Sequence, residues 1–286
     1  MNETLTRLPD MDYPTLAPKV YEEVVKQHPE SAVKLVAKQG EIMPVIIRAL
    51  ELIDTLEKVA YMPTLDPPPK AFWLITASGT SETPLKETDP AVYQDPERPW
   101  FNWMQRLRIG YTEWLVRRST ENITGEDLSG LRFTPKLKQA VGENGPWVII
   151  NGNEIENDDF RKVVQQEDTG FSLDRLHAIE LNPESTIGQV LTFSLPKGID
   201  WQSGDRIGIV CSAPQMVRLL HMMRYEKNGF KNKIPEGVKI QLFPMPTPAA
   251  GRESYAIQEL AGLLWYIFRD NNPVAAKKPY PFVALD

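Results

Sequence analysis

Apolar residues recur every three or four positions over Ala17–Lys38 (Val20, Val24, Val33, Val36) and over Ile42–Ala60 (Ile46, Leu50, Ile53, Leu56), the spacing that lines one face of a helix. Two amphipathic helices are predicted there, and the proline-rich stretch Pro63–Pro69 ends them. From Ala71 the pattern changes to short apolar runs rich in β-branched and aromatic residues: Phe72–Thr76, Trp147–Ile150, Leu176–Leu181, Ile207–Cys211 and Val238–Phe243. Helix-like segments separate them, at Phe101–Arg118, Pro135–Ala140, Asn157–Glu167, Ser185–Phe193, Pro214–Asn228 and Arg252–Arg269.

Strand alternating with helix favours a parallel sheet with helices on both faces. The expected fold is therefore α/β, a doubly wound, mainly parallel five-stranded sheet in a Rossmann-like three-layer sandwich. Residues 1–70 form a helical extension packed on the core, 71–270 the α/β domain with a long insertion at about 84–145, and 271–286 a C-terminal tail.

Composition narrows the class further. Apolar residues make up 42% and charged residues 24% of the 286, ordinary values that exclude wholesale disorder and a fibrous repeat. Acidic residues outnumber basic ones by 38 to 32, so the net charge of -6 argues against general nucleic-acid binding while leaving room for a local anion pocket. Trp100, Trp103 and Trp114 with Arg106, Arg108, Arg117 and Arg118 fit an amphipathic helix with a basic outer face better than a base-stacking surface. One cysteine and three histidines do not supply the spacing of a structural zinc site, so no metal is expected, and no cofactor is named by the sequence. Met1–Tyr13 lacks the pattern of a secretory leader and no apolar run approaches membrane-spanning length, so the expected address is cytoplasmic.

Open parallel sheets bind ligands outside the carboxyl ends of their strands, which singles out four loops. The first contains Ser78, Gly79 and Thr80 among other hydroxyl residues and suits backbone and hydroxyl donation to a phosphate or carboxylate; an ordinary Ser/Thr turn has the same composition. The second, Asn151-Gly152-Asn153, has a glycine free to take a positive φ and bring backbone close to a ligand, or simply to turn the chain; Glu154 beside it is a candidate base or a solvated acid. The third offers Glu180 and Glu184 as candidate bases, with Ser185 and Thr186 split between ligand contact and helix capping. In the fourth, Ser212 is placed to cap a helix whose first turn holds Pro214, and Arg218 lies about one turn in, where a cation calls for a neighbouring acid or a bound anion. His28, His177 and His221 read as packed or surface histidines, and Cys211 as a small buried hydrophobe.

In layout these loops resemble the DUF218 family, also called the YdcF, SanA and ElyC-like proteins. Ser78-Gly79-Thr80 stands at the family's first, glycine-rich turn, Asn151-Gly152-Asn153 at its Ser-Gly-Gly, and Glu180 with Ser185-Thr186 and Gln189 at its acid and Ser-x-Asn-Thr segment. Ser212 to Arg218, one residue longer, stands at its Ser-x-His-x-x-Arg. The resemblance covers roughly Ala71 to Arg269 and implies a doubly wound α/β domain that binds a nucleotide-like ligand, with Arg218 on the family arginine. Gln215 replaces the family histidine and Gln189 the usual asparagine; glutamine orients a ligand but does not titrate near neutral pH.

Two readings follow. In the first, a phosphorylated or nucleotide-like small molecule is bound at the carboxyl edge of the sheet and hydrolysed or transferred, with Ser78, Gly79, Thr80, Asn151, Gly152, Asn153, Ser185, Thr186, Ser212, Gln215 and Arg218 lining the site. In the second, the chain is a catalytically inactive scaffold or regulator, meeting a protein partner or another copy of itself through residues 1–70.

Overall fold

The structure, a computed structural model, describes residues 10–29, 32–60, 63–75, 100–131, 135–165, 169–183, 185–245 and 252–268. They fall into two compact units, one drawn from Met1–Met62, Ser212–Gly229 and Pro246–Asp286, the other from Pro63–Cys211 and Phe230–Met245.

The first unit is helical: α1 (Tyr13–Gln27), α2 (Ala32–Ala37), α3 (Gln39–Val59), α8 (Ala213–Arg224) and α9 (Arg252–Phe268). Helix α1 starts where Asp12 caps it, its carboxylate accepting from the Thr15 N–H (3.3 Å) and hydroxyl (2.7 Å), with Pro14 in the first turn. It ends at His28, which precedes Pro29; the proline ring disfavours helical geometry for the residue before it, and His28 has left the helical region at φ -139°, ψ 68°. The expected helix over 17–38 is thus two. The break resets the phase: in α2 it is Leu35 that is buried, while Val33 and Val36 are exposed. Leu16, Ala17, Val20 and Val24 of α1 face inward against α3 and α9, α3 also packs on α8, and α8 on α9. The N-terminal helices therefore share their core with α8 and α9.

The second unit carries β1 (Ala71–Leu74), β2 (Trp147–Ile150), β3 (Leu176–Ala178), β4 (Arg206–Ser212) and β5 (Lys239–Met245), with α4 (Trp100–Thr124), α5 (Pro135–Asn144), α6 (Glu154–Gln165) and α7 (Thr186–Thr192) between them. All five strands are parallel, in the order β3-β2-β1-β4-β5. Ala71 lies opposite Trp147 and Ile207, and Leu74 opposite Ile150 and Val210. This is the doubly wound, Rossmann-like α/β fold, and the strand order reverses between β1 and β4.

Central parallel strands are covered on both faces and so read as continuous apolar runs. β1 is buried throughout and divides its side chains by the two-residue period. Phe72 and Leu74 join Val148, Ile150, Val210 and Phe243 in a core closed by Leu115 and Val116 of α4, Leu137 and Val141 of α5, and Phe160 and Val164 of α6. Trp73, on the other face, packs against Phe193 (ring centroids 4.3 Å apart) and Phe230 (5.7 Å). No described helix is long and apolar enough to cross a membrane.

Candidate functional site

The described carboxyl edge of the sheet is built around the loop after β2. Asn151 is buried: its amide donates to the Gln189 carbonyl (2.6 Å) and its side-chain oxygen accepts from the Thr192 hydroxyl (3.1 Å), so the loop is tied to α7. Asn157, one turn into α6, accepts from the Gly152 N–H (2.9 Å) and donates to the Ile179 carbonyl (3.0 Å), joining the ends of β2 and β3. Asn153 and Glu156 form a reciprocal capping box. The Asn153 side chain accepts from the Glu156 N–H and the Glu156 carboxylate from the Asn153 N–H, both at 2.9 Å, which satisfies two N–H groups at the start of α6.

After β3 the chain turns through Asn182 at φ +46°, left-handed backbone that asparagine tolerates better than most residues. Its side-chain oxygen accepts from the Glu154 N–H at 3.0 Å. Glu154, Asn157, Glu180 and Asn182 line a cleft of about 300 Å³. Glu180, one of the two candidate bases, is 58% exposed and ion-paired with Arg161 of α6.

Ser185 caps α7, its hydroxyl accepting from the Gly188 N–H at 3.2 Å, and Thr186 and Gln189 in that helix are buried. Of the two roles weighed for Ser185, capping is the one its geometry displays. Asn151, Gly152, Asn153, Glu180, Ser185 and Thr186 are thus gathered at the carboxyl ends of β2 and β3. Ser78, Gly79, Thr80 and Glu184 lie outside the described residues.

The remaining candidates belong to the helical unit. Ser212 precedes α8 in the capping position, but its buried hydroxyl is hydrogen-bonded to the Tyr255 hydroxyl (2.8 Å) instead of to the helix. Gln215 is buried in the first turn of α8. Arg218 is ion-paired with Glu259 of α9 at 3.0 Å, both side chains mostly buried. The acid that a cation near a helix start calls for is therefore supplied from within the same unit. Cys211, at the end of β4, and His221, in α8, are both buried.

Three polar residues that shape the edge, Asn157, Asn182 and Glu156, are absent from the candidates read from sequence. For Glu156 a signal existed, since Asn followed three residues later by Glu at a helix start is the capping-box spacing. Nothing in the chain order marks Asn157 as the bridge to Ile179, 22 positions away. Among the described residues no group of three or more His, Cys, Asp or Glu side chains is placed to hold a metal ion. Set against protein-family models, curated proteins and solved structures, the chain matches none.

Proposed function

We propose that this protein binds a phosphorylated or nucleotide-like small molecule at the carboxyl edge of its parallel sheet, where the strand order reverses beside β1. The observation that carries the reading is the strand order β3-β2-β1-β4-β5, because in open sheets of this kind ligands collect at the carboxyl side of the point where the order reverses. In the sequence, the segment leaving β1 holds Ser78, Gly79 and Thr80, whose hydroxyl and backbone donors suit anionic oxygens. The loop Asn151-Gly152-Asn153, fastened by its hydrogen bonds to Asn157 and Gln189, forms a rigid neighbouring wall. Arg218 is engaged by Glu259 and Glu180 by Arg161, so the reading rests on neutral donors and is one of binding, of the kind the DUF218 resemblance implies.

Thermal shift with inorganic phosphate, nucleotides and sugar nucleotides tests it. A ligand at about 100 times its Kd stabilises by about 2.7 kcal/mol, which in a protein of this size raises Tm by about 5–10 °C. The Ser78→Ala/Thr80→Ala double variant should keep the unliganded Tm and lose most of the shift. An unchanged Tm for the wild type across the whole panel defeats the proposal.

The second reading, a scaffold or regulator acting through its N-terminal helices, is favoured by Val33 and Val36, which stand 80% and 64% exposed on α2. Under it, Val33→Asp/Val36→Asp abolishes self-association in sedimentation experiments and the ligand panel stays silent.

A further inference from the structure

The helical unit contains an ion cluster that neither reading uses. Arg252, the first residue of α9, has a side chain only 7% exposed, and its guanidinium reaches two carboxylates of α3 that are more deeply buried still. It donates to Asp54 at 2.8 Å and to Glu57, while the second oxygen of Asp54 accepts from the Tyr13 hydroxyl of α1 and from Lys58, both at 2.7 Å. Lys58 in turn pairs with Asp10, just ahead of α1, at 2.8 Å. Three helices meet at one carboxylate.

We propose that Arg252 is the bolt of a charge-keyed latch: it holds the amino-terminal end of α9 to α3, and loss of charge at either buried carboxylate releases that end of α9 and α1 while the parallel sheet stays folded.

Two physical points carry this. A cation in the first turn opposes the helix dipole, so α9 does not favour Arg252 there on its own account and the carboxylates must supply the reason for its position. Ion pairs this dry are also an inefficient adhesive, since apolar side chains of similar volume hold as well or better, whereas removing one charged partner strands the other without solvent. What the cluster adds over apolar packing is conditional attachment. Apart from Glu259, which pairs with Arg218 of α8, the rest of α9 is apolar on its inner face, with Leu260, Leu263, Leu264 and Ile267 buried, so its ion pairs with α3 lie at its amino-terminal end.

The groups facing or neighbouring the cluster are Tyr13 of α1 and Asp10 before it, Glu51 and Lys58 of α3, and Arg252 of α9. Helix α2, against α3, carries Lys34, and α8, also packed on α3, carries Arg218, paired with Glu259, together with Arg224 and the buried His221. Burial pushes the Asp54 carboxyl up, but the hydrogen bonds from Lys58, Tyr13 and Arg252 outweigh it and hold it below its ordinary range. The stabilisation from such a group is present above the unfolded value and lost as pH falls through the folded one, so the latch is closed at neutral pH and opens in acid.

Hydrogen exchange read by mass spectrometry on the full chain tests this. At pH 7, Asp54→Asn and Arg252→Met should each speed exchange in peptides covering Leu16–Val24 and Ala256–Gly262 by about 100-fold, with β1, β2 and β4 unchanged. The fourfold replacement Tyr13→Phe/Asp54→Leu/Glu57→Met/Arg252→Met should restore wild-type protection. After correction for intrinsic rates, the wild type should stay closed from pH 7 down to about 5 and open progressively below that, and the fourfold variant should not. Single variants with unchanged exchange, exchange rising equally in the strands, or a fourfold variant that stays open would each overturn the latch. Should Asp54→Asn fail to fold, Glu57→Gln gives the same discrimination.

Discussion

Gly208 sits in the middle of β4 directly opposite Phe72 of β1, and there two physical effects of opposite sign compete. By backbone propensity alone, replacing a glycine inside a strand with alanine stabilises by about 0.5–1 kcal/mol. The surroundings argue the other way. A Cβ at position 208 would lie 2.6 and 2.8 Å from two ring carbons of Phe72 and 2.9 Å from the ring of Phe243. Ordinary contact between carbons is about 3.5–4.0 Å, so the rings would have to retreat by about 1 Å. They have little freedom to do so: both are fully buried, their centroids are 5.3 Å apart in an edge-to-face pair, and β1 is hydrogen-bonded to strands on both sides. Overpacking of this kind costs about 1–3 kcal/mol. With the rings held on all sides the upper part of that range applies, and Gly208→Ala is expected to lose about 2 kcal/mol net of the propensity gain. That corresponds to a Tm lower by about 4–8 °C. Urea denaturation followed by intrinsic tryptophan fluorescence, to which buried Trp73 contributes, measures it. A second arm uses Phe72→Leu: because the smaller side chain vacates the space the new methyl needs, the double variant should be more stable than the sum of the singles predicts by about 1 kcal/mol. A Gly208→Ala protein at least as stable as the wild type, or strictly additive singles, would show that the sheet has room at this point and that the steric argument is wrong.

Two further outcomes are expected. Asn153→Ala removes one half of the capping box and should cost about 0.5–2 kcal/mol in a denaturation midpoint, whereas Asn153→Gly should cost only a few tenths; equal losses would mean the side chain does not cap α6. Burial pushes the His177 imidazole below its ordinary value, against the smaller opposing effect of its hydrogen bond with Ser194. The unfolded chain therefore binds the proton first, and stability should decline as pH falls below about 6.5. His177→Gln should flatten that part of the urea-midpoint profile, and an unchanged profile would count against the assignment.

Much of the chain is legible before any tertiary contact is known, because hydrophobic period and proline position act locally. The Trp147–Ile150 strand matches its sequence reading, the other four strands fall within a few residues of theirs, and the helices from Phe101 to Arg269 are recognisable from the same pattern. The errors have local causes too: Pro29 splits a helix that periodicity alone would continue, and the helix expected over Pro214–Asn228 ends at Arg224, where Tyr225 is extended and Gly229 turns left-handed. At the candidate edge, the loops are visible as polar stretches after apolar runs, but what their side chains do is not. Asn151 and Asn153 are plausible ligand donors by position, but Asn151 spends its amide on Gln189 and its oxygen on Thr192, and Asn153 spends its side-chain oxygen on Glu156. A carboxamide looks the same in sequence whether it faces a ligand or a neighbouring backbone.

The alternation of strand and helix, and with it a parallel α/β sheet, is readable from chain order alone, since a two-residue or 3.6-residue period is a property of neighbouring positions. Contacts made on folding settled the rest: the opening helices share a core with α8 and α9, Arg218 belongs to Glu259 and Arg252 to Asp54 and Glu57, and position 208 has no room for a side chain. Those outcomes depend on which groups meet across 40 to 200 positions of chain, and burial makes each meeting decisive: an ion or a methyl group placed in a dry, close-packed interior is tolerated only where the partner across the gap fits it.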